Sequence, residues 1–346
     1  MRGLPILIAF VILLALPVSA SEITAPEVPP SGADLMPKDG GSFWTGLMEI
    51  LSGAVANLRP DLREAAATCM SVAGITLMVS LVHAFPGSNN RISDLVGTVA
   101  IGVLLLQSTN SLVTLAVDTI AELTEYGKLL LPVMTTAMAA QGGITASAAL
   151  YTGSAAFNSL LATLIAKVLV PMVYIFLSLS AANSAVGEDT LKKMRDFVKW
   201  LATWALKIIL YVFTGYMSIT GVVSGTTDAA QLKVTKMTIS GMVPVVGNIL
   251  SDASEAVLVG AGVVKNAAGI YGILAILSVC LGPFLRIGTH YLLLKATGAV
   301  CGIFDSKRMT TLIQDFTAAL GLLLAMTGTV CLLLLISVVC FLRGVG

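Results

Sequence analysis

Six long, mostly apolar runs constrain this chain more than anything else in it. They lie at about 65–85, 92–120, 144–182, 201–223, 263–285 and 316–342. Each reaches the roughly 20 residues that a helix needs to cross a bilayer. Charged residues make up only 11% of the chain, against roughly 25% in soluble domains. The expected fold is therefore all-α: a polytopic transmembrane helical bundle of about 6–8 membrane segments, with short broken, re-entrant or interfacial helices. A net charge of +1 offers no basis for binding nucleic acid. Small residues let membrane helices approach closely, and GVVSG (221–225) and GAVCG (298–302) carry the GxxxG spacing.

The remaining segments organise the chain around those runs. Residues 1–20 read as a signal peptide, with Arg2, an apolar core from Leu4 to Leu16, and Val18-Ser19-Ala20 as the small-residue cleavage site. Residues 21–62 are expected to be an extracytoplasmic leader, flexible where it is rich in Pro, Gly and acid, followed by an interfacial helix over 43–58 that Arg59-Pro60 ends. The polytopic membrane domain is placed at 63–346. Within it, LLPVMTTAMAAQGG (129–143 with its flanks) is too short to cross and reads as a half-helix or re-entrant element. The tract 144–182 contains Lys167 and Pro171 and reads as one kinked helix or two elements. A faint internal repeat, with Pro132 and Pro244 112 residues apart, suits the broken helices of transporter-like folds.

Basic residues favour the cytoplasmic side. With the N-terminus outside, Lys192, Lys193 and Arg195 fall in the cytoplasm, and so do Arg286, Lys307 and Arg308. The C-terminus then lies outside.

No catalytic set is legible. The two histidines, His83 and His290, stand apart, and HExxH, GxSxG, GxxxxGK[ST] and CxxC motifs are absent from the sequence. The five cysteines lie in apolar stretches without metal-site spacing, so the expectation is no enzyme, no metal and no cofactor. Polar chemistry concentrates instead in 228–272. Lys233, Lys236 and Ser240 share one helix face, Asp252 and Glu255 share another, and VPVVG (243–247), with Pro244 and Gly247, breaks the helix between them. Folding back there makes a polar hairpin over 228–262 with Lys236 opposite Glu255, either a solvated external loop of two amphipathic helices or a candidate partner-docking or path-lining element. Lys265 and Asn266 open the fifth run, where snorkelling to the interface accounts for the lysine. Lys167, deep in its tract, is harder to snorkel, and an internal carboxylate or a water-filled cavity is the alternative.

The order of signal peptide, leader, LLP motif, KxxK-x7-PVVG-x3-SDASE and KNxxGxxG resembles the stage III sporulation protein AE family of endospore-forming bacteria. The matching residues are Lys233, Lys236, Ser240, Pro244, Val245, Val246, Gly247, Ser251, Asp252, Glu255, Lys265, Asn266 and Gly269. The resemblance implies a multi-pass protein of the mother-cell membrane surrounding the forespore, within a secretion or feeding channel complex that sustains forespore development. It further implies partners from the same operon, namely an ATPase and ring-forming membrane proteins, and through them a forespore channel protein. Membrane lipids are the other expected contact. The broken helices, the repeat and Lys167 support a different class of function, a stand-alone secondary transporter of a small solute. A third reading is a structural anchor without a conduit.

Overall fold

The computed structural model describes residues 25–37, 43–85, 90–186, 189–242, 247–304 and 307–343, with side chains at 221–262 and a few other positions excepted. The signal peptide, residues 86–89 of the PGSNN turn and Pro244 lie outside the described residues. The elements are α1 (Pro30–Ala33), α2 (Phe43–Ala56), α3 (Leu58–His83), α4 (Asn90–Ala140), α5 (Ile144–Leu164), α6 (Val170–Val186), α7 (Asp189–Met242), α8 (Gly247–Cys301) and α9 (Lys307–Arg343). Among the described residues six helical tracts are long and apolar enough to cross a membrane: 43–83, 91–140, 144–185, 191–220, 265–301 and 307–343. The chain is a multi-pass helical bundle.

α9 is the centre of the bundle. Its residues from Met309 to Phe341 bury a face that recurs at Leu312, Phe316, Leu323, Met326, Val330, Leu334 and Val338, the three-and-four spacing of one helix stripe. α4, α5, α6, α7 and α8 all pack on it. Glycines mark the closest approaches. Gly298, Gly288 and Gly269 of α8 meet Ile313, Leu324 and Leu342 of α9, so these two helices run antiparallel. Gly97, Gly102 and Gly127 of α4 meet Met309, Leu312 and Leu334, so α4 runs parallel to α9. Of the two GxxxG stretches, the one at 298–302 thus lies on a helix–helix contact.

Three expectations are corrected. The segment around Pro132 is not a half-helix or re-entrant piece, because α4 runs unbroken through it to Ala140. Proline removes one backbone donor, but Leu130, Leu131, Met134, Ala137 and Met138 are all buried on one face and hold the helix in register. The end comes at Gly142, whose φ of 91° is the left-handed conformation that glycine adopts without strain. There the amides of Gly142 and Gly143 donate to the carbonyls of Ala139 and Met138, closing the helix end with the two bonds of a Schellman cap. α5 starts directly after, so α4 and α5 form a tight antiparallel pair.

Secondly, Arg59-Pro60 does not end a separate helix. α2 stops at Ala56 and α3 resumes at Leu58, with Pro60 in its first turn where the missing amide has no intrahelical partner to lose. Thirdly, the leader residues 25–37 are docked rather than free. Ala25, Val28 and Met36 pack on the core, Gly32 sits against Ser278 and Val279 of α8, and the Ser31 hydroxyl donates to the Glu122 carboxylate.

The tract 144–186 is one continuous helix whose middle, Ile165–Leu169, widens into a π-turn. Pro171 explains the position: its ring displaces the carbonyl four residues back, at Lys167, and the wider turn takes up that clash.

Candidate functional site

Charged groups in a chain like this cost free energy unless they are paired or face water or protein. Their pairing therefore shows where the bundle tolerates polarity. At the end where α6, α7 and α9 meet, Arg195 donates from Nη1 to Asp315 Oδ2 at 2.7 Å and from Nε and Nη2 to Asp196 Oδ1 at 3.1 and 2.9 Å. Arg195 and Asp315 are only 6% and 8% exposed. Beside them Arg308 donates to the Ala185 carbonyl at 3.3 Å. Of the basic cluster expected in the cytoplasm, Lys192 and Lys193 point outward and Arg195 points in. The exposed stack of Phe197, Trp200 and Trp204 flanks this end, as aromatic side chains do at a membrane interface.

A second cluster sits along the middle of α9. Arg286 of α8 lies 3.2 Å from Asp61 and 3.3 Å from Glu64, which share a face of α3 at i, i+3 spacing. Arg286 was expected to end the fifth run in the cytoplasm. Instead α8 continues past it to Cys301, and its neighbours Phe284 and Gly288 sit against Gly328 and Leu324 at mid-helix. Its charge is answered by two carboxylates there and no longer counts towards orientation.

Glu64 also opens a groove of about 450 Å³ between α3 and α4, lined by Ala67, Thr68, Ser71, Leu104, Gln107, Ser108 and Ser111. Thr68 and Ser71 donate to the carbonyls of Glu64 and Ala67 in their own helix, which leaves their oxygens as acceptors towards the groove. A groove of about 310 Å³ between α4 and α5 holds Glu125, Lys128, Thr163 and Lys167. Glu125 and Lys128 pair at 2.6 Å.

The expected site residues fare unevenly. Lys167 does stand in a groove with a carboxylate, on the exposed side of the π-turn. Lys265 is 4% exposed, so burial within the bundle replaces the expected snorkelling, while the adjacent Asn266 is exposed. Lys233, Lys236 and Ser240 lie on α7, and Gly247, Asp252 and Glu255 lie on α8, but their side chains are outside those described. The sequence reading missed Asp61, Glu64, Asp315 and the polar side of α4. For the last of these a signal was present: Gln107, Ser111, Thr114, Asp118, Glu125 and Lys128 follow one helix face at three-, four- and seven-residue steps.

A profile described as stage III sporulation protein AE matches residues 41–344, nearly the whole bundle. The chain belongs to the stage III sporulation protein AE family. A curated relative, stage III sporulation protein AE of Bacillus subtilis (strain 168), is 22% identical over 198 residues, which is 57% of this chain and 50% of the relative. The match thus spans about half the length of that relative. No solved structure matches the chain. For a member of the stage III sporulation protein AE family, the name places the chain in sporulation, and the six apolar helices place it in a membrane.

Proposed function

We propose that this chain is the non-enzymatic, multi-pass membrane component of the secretion or feeding channel complex between mother cell and forespore, required for forespore development. The observation that carries the reading is the family match over 41–344, laid on a bundle with six membrane-length helices. The family resemblance also supplies the proposed setting: the mother-cell membrane around the forespore, with an ATPase and ring-forming membrane proteins of the same operon as partners. In this reading the polar segment 228–262 docks a partner or lines a path. Lys167 with Glu125 and Lys128 in one groove favours a second reading, a stand-alone transporter of a small solute.

One experiment separates them. A strain lacking this chain is expected to begin sporulation and complete engulfment, then stall in forespore development. Normal yields of heat-resistant spores from that strain would overturn the complex and leave the transporter.

A further inference from the structure

Two lysines from different helices meet at one groove beside the Arg195–Asp315 pair. Lys199 of α7, Tyr291 and Lys295 of α8, and Gln314 and Thr317 of α9 line it, and it holds about 420 Å³, within the roughly 300–1,000 Å³ of ligand pockets. Gly298, Ala299 and Ala318 complete the lining and, being small, keep it open. Its depth follows from the helix contacts. Gly298 meets Ile313 and α8 runs antiparallel to α9, so Lys295 stands level with Phe316. Arg195 holds Asp315, and Lys199 is one turn further along α7. Both lysines thus lie at the start of the apolar stretch of α9 from Phe316 to Leu342. Twenty-six residues at 1.5 Å make that stretch about 39 Å long, more than the roughly 30 Å hydrocarbon core, so its ends reach into the headgroup layers. Exposed Trp200, next to Lys199, marks the same level, as aromatic side chains do at the interface.

The groove is cationic. No carboxylate is in its lining. Asp196, one turn before Lys199, and Asp315, beside Gln314, both accept from Arg195. Lys199 and Lys295 are exposed and have no ion-pair partner among the described residues. Lys295 Nζ lies over the Tyr291 ring, 5.6 Å from its centroid, which holds the amine on the groove wall. Tyr291 and Gln314 bring a hydroxyl and an amide as neutral donors. Thr317 does not, because its hydroxyl donates to the Ile313 carbonyl. Two cations, two neutral donors and no acid suit an anion with several acceptor oxygens.

We propose that this groove binds the phosphate of an anionic phospholipid, with Lys199 and Lys295 on the phosphate oxygens. A lipid headgroup and a free phosphate share that chemistry, and the surroundings favour the lipid. The groove opens at headgroup depth, and Trp204 and Leu292, deeper on α7 and α8, are exposed apolar surface for acyl chains. Basic segments at a membrane surface attract anionic lipids, and this end of the bundle also carries exposed Lys192, Lys193 and Lys307. The inference rests on the chain crossing a membrane and not on its part in sporulation.

The test uses the full chain in a non-ionic detergent, with lipid adducts followed by native mass spectrometry. Dioleoyl phosphatidylglycerol should bind at least about tenfold more tightly than dioleoyl phosphatidylcholine, whose choline offsets the phosphate charge. K199A with K295A should weaken the phosphatidylglycerol adduct at least about tenfold. K192A with K193A removes the same charge from the same end and should change it less than about twofold, since those lysines are outside the groove. K199R with K295R should keep the adduct. A299F, which fills the groove from an exposed position and leaves both lysines, should lose it. Equal binding of the two lipids, equal losses in the two double-alanine variants, or normal binding by A299F would overturn the proposal. Release of phosphatidylglycerol by millimolar inorganic phosphate would do so too, by making a soluble anion the ligand.

Discussion

The pair Arg195–Asp315 shows what a buried charge costs and gives in this bundle. Taking two ions out of water is compensated only by short, well-aligned bonds, and the 2.7 Å contact supplies one. Removing one partner is therefore worse than removing both. Asp315→Ala should cost about 3 kcal/mol, the lower end for a broken buried pair, because exposed Asp196 still accepts from the guanidinium. Replacing both, as R195M with D315L, should recover most of that loss. Unfolding midpoints in one detergent would check it, and equal losses for the single and double variants would show that the pair is not what holds α7 to α9. The other ion cluster, at Arg286, differs in kind: its carboxylates come from one turn of α3, so it ties α3 to α8 at mid-depth.

At the scale of elements, proline and glycine decide where helices stop, and each acts only through its surroundings. Pro132 leaves α4 unbroken because a packed face carries the helix through it. Pro171 forces the turn before it into the π form. A π-turn holds one residue more than the α-turn it replaces. Deleting Ala166 inside it should thus be better tolerated than deleting Ala156, an exposed residue of regular α5, which rotates the rest of the tract by about 100°. Thermal midpoints of the two deletions are expected to differ by several degrees in that order; the reverse order would mean that the wide turn is needed for packing. The end of α4 at Gly142 was legible as a Gly-Gly break, but its consequence was not. The sequence suggested the tail of a re-entrant piece, and the cap geometry shows the corner of a long helical hairpin.

At the scale of the whole molecule, the contacts decide which helix ends lie together. Arg195 reaches Asp315 and Arg308 reaches Ala185, so the segments near 190 and 310 share one end of the bundle. The basic residues there, Lys192, Lys193 and Lys307, set the expected cytoplasmic side. Cysteines placed at 193 and 307 should both be protected from a membrane-impermeant thiol reagent in intact cells and both react in inverted vesicles. Labelling of either from outside would invert the orientation, and opposite results at the two sites would contradict the bundle.

Hydrophobic run length determined the membrane-helical class of this protein, because crossing hydrocarbon is a local requirement that each segment meets alone. The motif order in 228–272 likewise carried the family. What no local pattern contains is which faces meet. Asp61 and Glu64 drew no notice in the sequence and gain a role only when Arg286 is brought beside them, and Arg286 read as a cytoplasmic end until α8 proved to continue. The polar side of α4 was written in the spacing of its residues, yet its meaning depends on α9, which fixes how deep that side lies. Depth, pairing and exposure are relations between segments far apart in sequence, so only the tertiary structure decided them.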